Sequence, residues 1–232
     1  MLADANAHAR LLNPRTVALV PIDLQYKLLA AVVEPERVLR NVRMLLRLAE
    51  VLQIPVTLTT QYANGLGKLH PEIAAAVEGA VATAAASAAG ATGVAGITGR
   101  TGIAGMTVGS EPDGPNFSAP SEPFDKTSFS CFGDTNFLPH LRERAPNATT
   151  LLLCGIESHI CVAQTALGAL ANGYLVHVGA DAVSSRTAAN WELGLERMER
   201  AGAVVSSTEM MVYELLGRAG TAEFKAMLPM LK

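Results

Sequence analysis

With 232 residues the chain can build one sizeable α/β core, whereas two full domains would be cramped. A formal charge of −3 and a pI near 6.0 give no electrostatic reason to expect nucleic acid, and despite a mean hydropathy of +0.27 no apolar run reaches bilayer-crossing length. Three irregularly spaced cysteines with no CxxC argue against a disulfide framework or a zinc knuckle and fit a reducing compartment. The first residues, MLADANAHARLLNPRT, lack a hydrophobic signal core, so the cytosol is the expected location, with the mitochondrion as the alternative.

Val17 to Ile22 is an apolar run with β-branched valines and reads as the first strand, Pro21 being an irregularity near its end. Asp23 follows at the strand's carboxyl edge, where open α/β sheets bind ligands. It is either a cap for the loop or a general base in the crevice. From Pro35 to Gln53 apolar residues recur at three- and four-residue steps with arginines between them, the pattern of a helix packing one face on a sheet. Val56 to Thr60 is the second strand. The loop QYANGLGKLHPEI after it lacks the full GxxxxGK[ST] pattern and reads as a pocket wall with permissive glycines.

From about 79 to 120 alanine, glycine, threonine and serine dominate without a sustained period. Such a segment buries too little surface to offset its ordering entropy, and is expected to be a partly flexible insertion in a single domain spanning 1–232. Order returns at FDKTSFSCFGD, where Lys126, of a type normally found at the surface, stands among aromatic and small residues. Asp134 is expected to cap a helix reaching about Arg144.

Leu151 to Cys154 and Leu175 to Val178 read as buried parallel strands, with a helix between them carrying Val162, Ala163, Ala166, Leu167 and Leu170 and capped by Gly173. Cys161 stands at the entry to that helix, where unpaired N–H groups favour a thiolate and could hold an oxyanion. The plainer reading of a cysteine among apolar residues is a small core side chain, and it is the one given to Cys154. A helix from Ala188 to Ala201 closed by Gly202, a strand at Ala203 to Val205, and helices capped by Ser207 and Thr221 complete an alternation that predicts a doubly wound parallel sheet.

Asp23 in VPIDLQ, Lys126 in FDKTSFS and Cys161 in GIESHICVAQTA, in that order, resemble the isochorismatase-like cysteine hydrolase superfamily. QYANGLGKLHPE, HVGADAVSSR and SSTEMMVYELLGRAG narrow the resemblance to its isochorismatase domain-containing, YcaC-like branch. The resemblance implies a three-layer α/β sandwich with a six-stranded parallel sheet, assembly into homo-oligomers, and a catalytic triad of Asp23, Lys126 and Cys161. It further implies a cis peptide at Ile156 and Glu157 that aims the Glu157 and Cys161 amides at an oxyanion. Gln25, Gln61, Tyr62 and Phe129, with Tyr26, are candidates to line a small-molecule pocket. Nicotinamidases of the superfamily hold a metal through an Asp and two His after the second strand. Here TTQYANGLG has no histidine, so no metal and no cofactor are expected.

The expected activity is metal-independent cleavage of a C–N bond in a small amide-type compound through an acyl-enzyme. The competing reading is a binding or scaffold protein that keeps the pocket with little turnover. RNA cleavage lacks a basic stripe or stacking platform, and neither a nucleic acid nor a membrane is an expected partner.

Overall fold

The computed structural model describes residues 11–79 and 122–232; residues 80–120 of the expected insertion lie outside the described residues. In chain order the elements are β1 (Val17–Ile22), α1 (Tyr26–Leu29), α2 (Pro35–Leu52), β2 (Thr59–Gln61), α3 (Ala63–Leu66), α4 (71–79), β3 (Phe124–Lys126) and α5 (Phe137–Arg144). There follow β4 (Thr150–Ile156), a π-helical turn (Ser158–Val162), α6 (Ala163–Ala171), β5 (Leu175–Ser184), α7 (Ala188–Arg200), β6 (Val204–Ser206), α8 (Thr208–Leu216) and α9 (Ala222–Met227). Every strand pair is parallel.

The central strands are buried on both faces because their apolar residues serve two separate cores. Val17 and Leu19 of β1, with Leu152, Cys154 and Ile156 of β4, meet α2, α8 and α9 through Val38, Val42, Leu45, Met211, Leu215 and Met227. Ala18, Val20 and Ile22, with Leu151 and Leu153, face α5, α6 and α7 through Phe137, Leu141, Ala166 and Met198. Each fully buried Leu, Val or Phe in these layers contributes about 1.5–3 kcal/mol of transfer free energy. The result is the predicted three-layer α/β sandwich.

The sheet differs from the expected six continuous strands. The hydrogen-bonded ladder has four, in the order β1-β4-β5-β6, while β2 and β3 pair with each other. Residues preceding β2 run beside β1, where the Leu19 amide donates to the Pro55 carbonyl and the Thr57 amide to the Leu19 carbonyl. The next donor from β1 would be residue 21, and Pro21 has no N–H. Contact resumes only at Asp23, whose amide donates to the Thr59 carbonyl at 3.3 Å. A single proline thus splits the sheet next to the strand ends that matter.

Two boundaries also shift. β5 continues past Val178 to Ser184, with a register break that sets Leu153 opposite Val178 but Gly155 opposite Val183. The extra residues bring the Asp181 carboxylate to the start of α8, where it accepts from the Thr208 amide and hydroxyl at 2.7 and 2.8 Å. Asp134 does not cap α5 directly; its carboxylate accepts from the Asn136 amide at 2.9 Å, shaping the turn before the helix. Ser207 and Thr221 do cap α8 and α9. Among the described residues no helix is long and apolar enough to cross a membrane.

Candidate active site

Asp23 leaves the end of β1 with a left-handed backbone, φ 53°, that turns its fully buried carboxylate under the sheet edge. One oxygen accepts from the Thr59 hydroxyl at 2.8 Å, and the other from Lys126 Nζ at 2.7 Å. Lys126 ends β3, paired in register with Gln61 of β2, and is 1% exposed. Its ammonium donates a second bond, 2.7 Å, to Gln61 Oε1. A buried ion pair is tolerated only when its remaining hydrogen-bonding positions are filled, and Thr59 and Gln61 fill them here.

Cys161 reaches the same place from β4. Gly155, with φ 112°, lies so close to β1 that a Cβ there would stand 2.1 Å from the Ile22 carbonyl oxygen. The Ile156–Glu157 peptide is cis, and the chain then winds through the π-helical turn into α6. Gly194 of α7 packs on that turn, where a Cβ would lie 2.7 to 2.9 Å from the Ser158 and His159 backbone. Cys161, 7% exposed, sets its Sγ 3.9 Å from Gln61 Oε1.

The helical winding starts at Ser158, so Cys161 lies within it, and burial is the largest influence, pushing the thiol well above its ordinary range. The charge of Asp23 pushes the same way; Lys126 opposes it.

Of the other candidates, Gln25 is fully buried, and its amide is consumed by the loop after β2. Its Nε2 donates to the Gln61 and Gly67 carbonyls at 3.1 and 2.7 Å, and its Oε1 accepts from the Gln61 amide at 2.8 Å. Gln61 likewise spends its Nε2 on the Thr127 carbonyl at 2.8 Å. Both expected pocket residues have their amide groups occupied by the protein itself. Tyr62 and Phe129 are open, at 53% and 56% exposure, as is Tyr26, which stacks on His70. The Glu157 carboxylate accepts from the Arg186 amide and Nε at 2.9 and 3.0 Å, tying the cis peptide to the loop after β5. His159 Nδ1 lies 2.9 Å from Ser185 Oγ, which is 2.6 Å from Ser158 Oγ, so this histidine braces the turn.

Sequence reasoning missed Thr59 and Cys131. Thr59 opens β2, a strand whose polar character carries no signal of its own. Cys131 is buried beside the cluster, its amide donating to Thr165 Oγ1 at 3.0 Å, one helical turn beyond Cys161. Among the described residues no group of three or more His, Cys, Asp or Glu is placed to hold a metal ion.

All three cysteines are buried free thiols, and burial pushes each up, Cys131 to about 11. A thiol that stays protonated in the fold while the unfolded chain ionises near 9.0 makes the native state bind more protons. Stability is therefore retained below pH 9 and lost as pH rises toward 11, at about 1.4 kcal/mol per pH unit for each thiol. Urea midpoints at pH 8 and 10 under reducing conditions measure this; equal midpoints would show that the thiols are not held protonated.

Residues 17–210 match the isochorismatase domain. A secreted isochorismatase effector of Phytophthora sojae, Isc1, is 31% identical over the whole of this chain and 93% of its own length. Among solved structures, the MAR1 ribonuclease of Caenorhabditis elegans superposes with a TM-score of 0.71 at 27% identity, covering 96% of this chain and 92% of that one. The YcaC product of Escherichia coli, described as an octameric hydrolase of unknown specificity, shares the fold with a TM-score of 0.71 at 21% identity, covering 95% and 90%.

Proposed function

This chain belongs to the isochorismatase domain family of hydrolases, and we propose that it cleaves a C–N bond of a small amide-type substrate through Asp23, Lys126 and Cys161, without a metal or cofactor. The observation that supports this most is the meeting of a carboxylate, an ammonium and a thiol in one buried cluster at the carboxyl ends of β1, β3 and β4.

Asp23 takes the proton of Cys161 as Sγ bonds to the amide carbon, and the carbonyl oxygen becomes an oxyanion. The backbone N–H groups of Glu157 and Cys161 are the proposed donors to it. Collapse breaks the C–N bond, and the proton on Asp23 leaves with the amine. Water then adds to the thioester, giving a proton to Asp23. The C–S bond breaks, and that proton returns to sulfur. One amide and one water become one acid and one amine. The burial that raises the thiol supports proton transfer coupled to attack. Lys126 compensates charge on sulfur as it forms.

Tyr62 and Phe129 are the proposed substrate contacts. Assembly into homo-oligomers, as described for the YcaC product, belongs to the same proposal. So does a cytosolic location, which three free thiols support.

A panel of small amides, assayed for amine release and for acylated protein by intact mass, tests the reaction. The expected result is turnover of at least one amide with an adduct on Cys161. A short RNA is the comparator, given the name of the nematode neighbour. Binding of amides without adduct or release would establish the binding-protein reading instead.

A further inference from the structure

Gln61 makes more bonds within the cluster than a pocket wall requires. Its backbone is clamped by both ends of the Gln25 amide, and its own Nε2 is anchored on the Thr127 carbonyl. That anchor assigns the orientation of the carboxamide, leaving Oε1 to face inward. There it accepts from Lys126 Nζ at 2.7 Å and stands 3.9 Å from Cys161 Sγ. The residue is buried, at 8% exposure, which shields both contacts from bulk water.

We propose that Gln61 is a positioning residue that gathers the Lys126 ammonium and the Cys161 thiol on one neutral acceptor, and so sets the proton state of the nucleophile. This rests on the triad proposed above. Lys126 is held by Asp23 and Gln61 together. When Asp23 takes the thiol proton its charge disappears, and a carboxamide, which has no proton to exchange, is then the group that keeps the ammonium beside sulfur. The acceptor must be neutral. A second carboxylate would share the ammonium and add a negative charge next to the forming thiolate. The titratable groups facing the thiol are otherwise Asp23 from the end of β1, Lys126 from β3 and the Cys131 thiol from the turn after β3.

The test is the pH dependence of Cys161 alkylation by iodoacetamide in the full chain, read at that cysteine by peptide mass, for the wild type and for Asp23→Asn, Lys126→Met, Gln61→Glu and Gln61→Met. Gln61→Glu, nearly isosteric, is expected to raise the alkylation midpoint by about one pH unit, slowing reaction about tenfold at a fixed pH below it. A carboxylate there also acts on sulfur through its own charge, so the neutral Gln61→Met separates positioning from a merely structural role. In Gln61→Met the ammonium keeps Asp23 but loses the acceptor it shares with the thiol, so adding Lys126→Met is expected to shift the midpoint by less than about half of its effect in the wild type. That cycle decides the matter if Gln61→Glu does not fold. Midpoints that respond to Asp23→Asn and Lys126→Met but not to Gln61→Met, with the Lys126→Met effect undiminished in that background, would overturn the inference and leave the triad standing. Midpoints indifferent to all four would remove the triad and this inference with it.

Discussion

Replacing Cys161 by serine is expected to lower amide hydrolysis by at least about a thousandfold while leaving the fold intact. The two side chains differ by one atom, and the smaller oxygen adds no bulk to the buried site. Its stability in urea should stay within about 1.5 kcal/mol of wild type, the range of near-isosteric exchanges. The chemistry changes far more. A carboxylate can draw a proton from a thiol in concert with attack, but a serine hydroxyl is far less acidic, and this cluster holds no stronger base at hand. The variant also separates chemistry from folding in a way that Asp23 and Lys126 variants cannot. Removing either member of the fully buried ion pair strands the other charge, at a cost of about 3–5 kcal/mol. Initial rates on the amide found by screening, with urea unfolding in parallel, measure both quantities. Retained turnover would remove Cys161 as the nucleophile.

Gly155→Ala is expected to cost at least about 3 kcal/mol in stability, and to disorganise the site with it. Two penalties act at one position. The backbone, at φ 112°, lies where an L side chain is strained, and the added Cβ would meet the Ile22 carbonyl oxygen at 2.1 Å and the Ile22 amide nitrogen at 2.7 Å. Neither contact can be relieved by rotating a side chain, because both partners are main chain in the middle of the sheet. Any relief must part β1 from β4, and those strands end at Asp23 and at the turn bearing Cys161. Gly173 and Gly202 are the comparison: both have positive φ but open space around the missing Cβ, so alanine there carries only the backbone penalty of about 1 kcal/mol. Urea denaturation of the three variants tests the ranking. A Gly155→Ala protein as stable as Gly173→Ala would show that β4 moves aside at little cost.

Much of the fold was legible because its signals are local. Runs such as Leu151 to Cys154 could only be buried strands, the three- and four-step pattern of α2 could only be an amphipathic helix, and Ser207 and Thr221 announced their helices through cap chemistry. The split of the sheet was half legible. Pro21 was visible as an irregularity, but its effect depends on which neighbour would have received the missing hydrogen bond.

The candidate site divides in the same way. Asp23 was placed at a strand end by its neighbours alone, yet whether its carboxylate would cap a loop or meet an ammonium is a question about a residue 103 positions away. Lys126 by its type belonged at the surface, and Cys161 by its place at a helix entry promised an acidic thiol. Burial reversed the first and, by raising the thiol, works against the second. By itself the sequence determined the main strands and helices, though not β3 or the short helices beside the site, and set Asp23 at a strand end. Only the tertiary structure decided which of those residues share a space without water, because desolvation and charge pairing act through distance in three dimensions and leave no trace in local pattern.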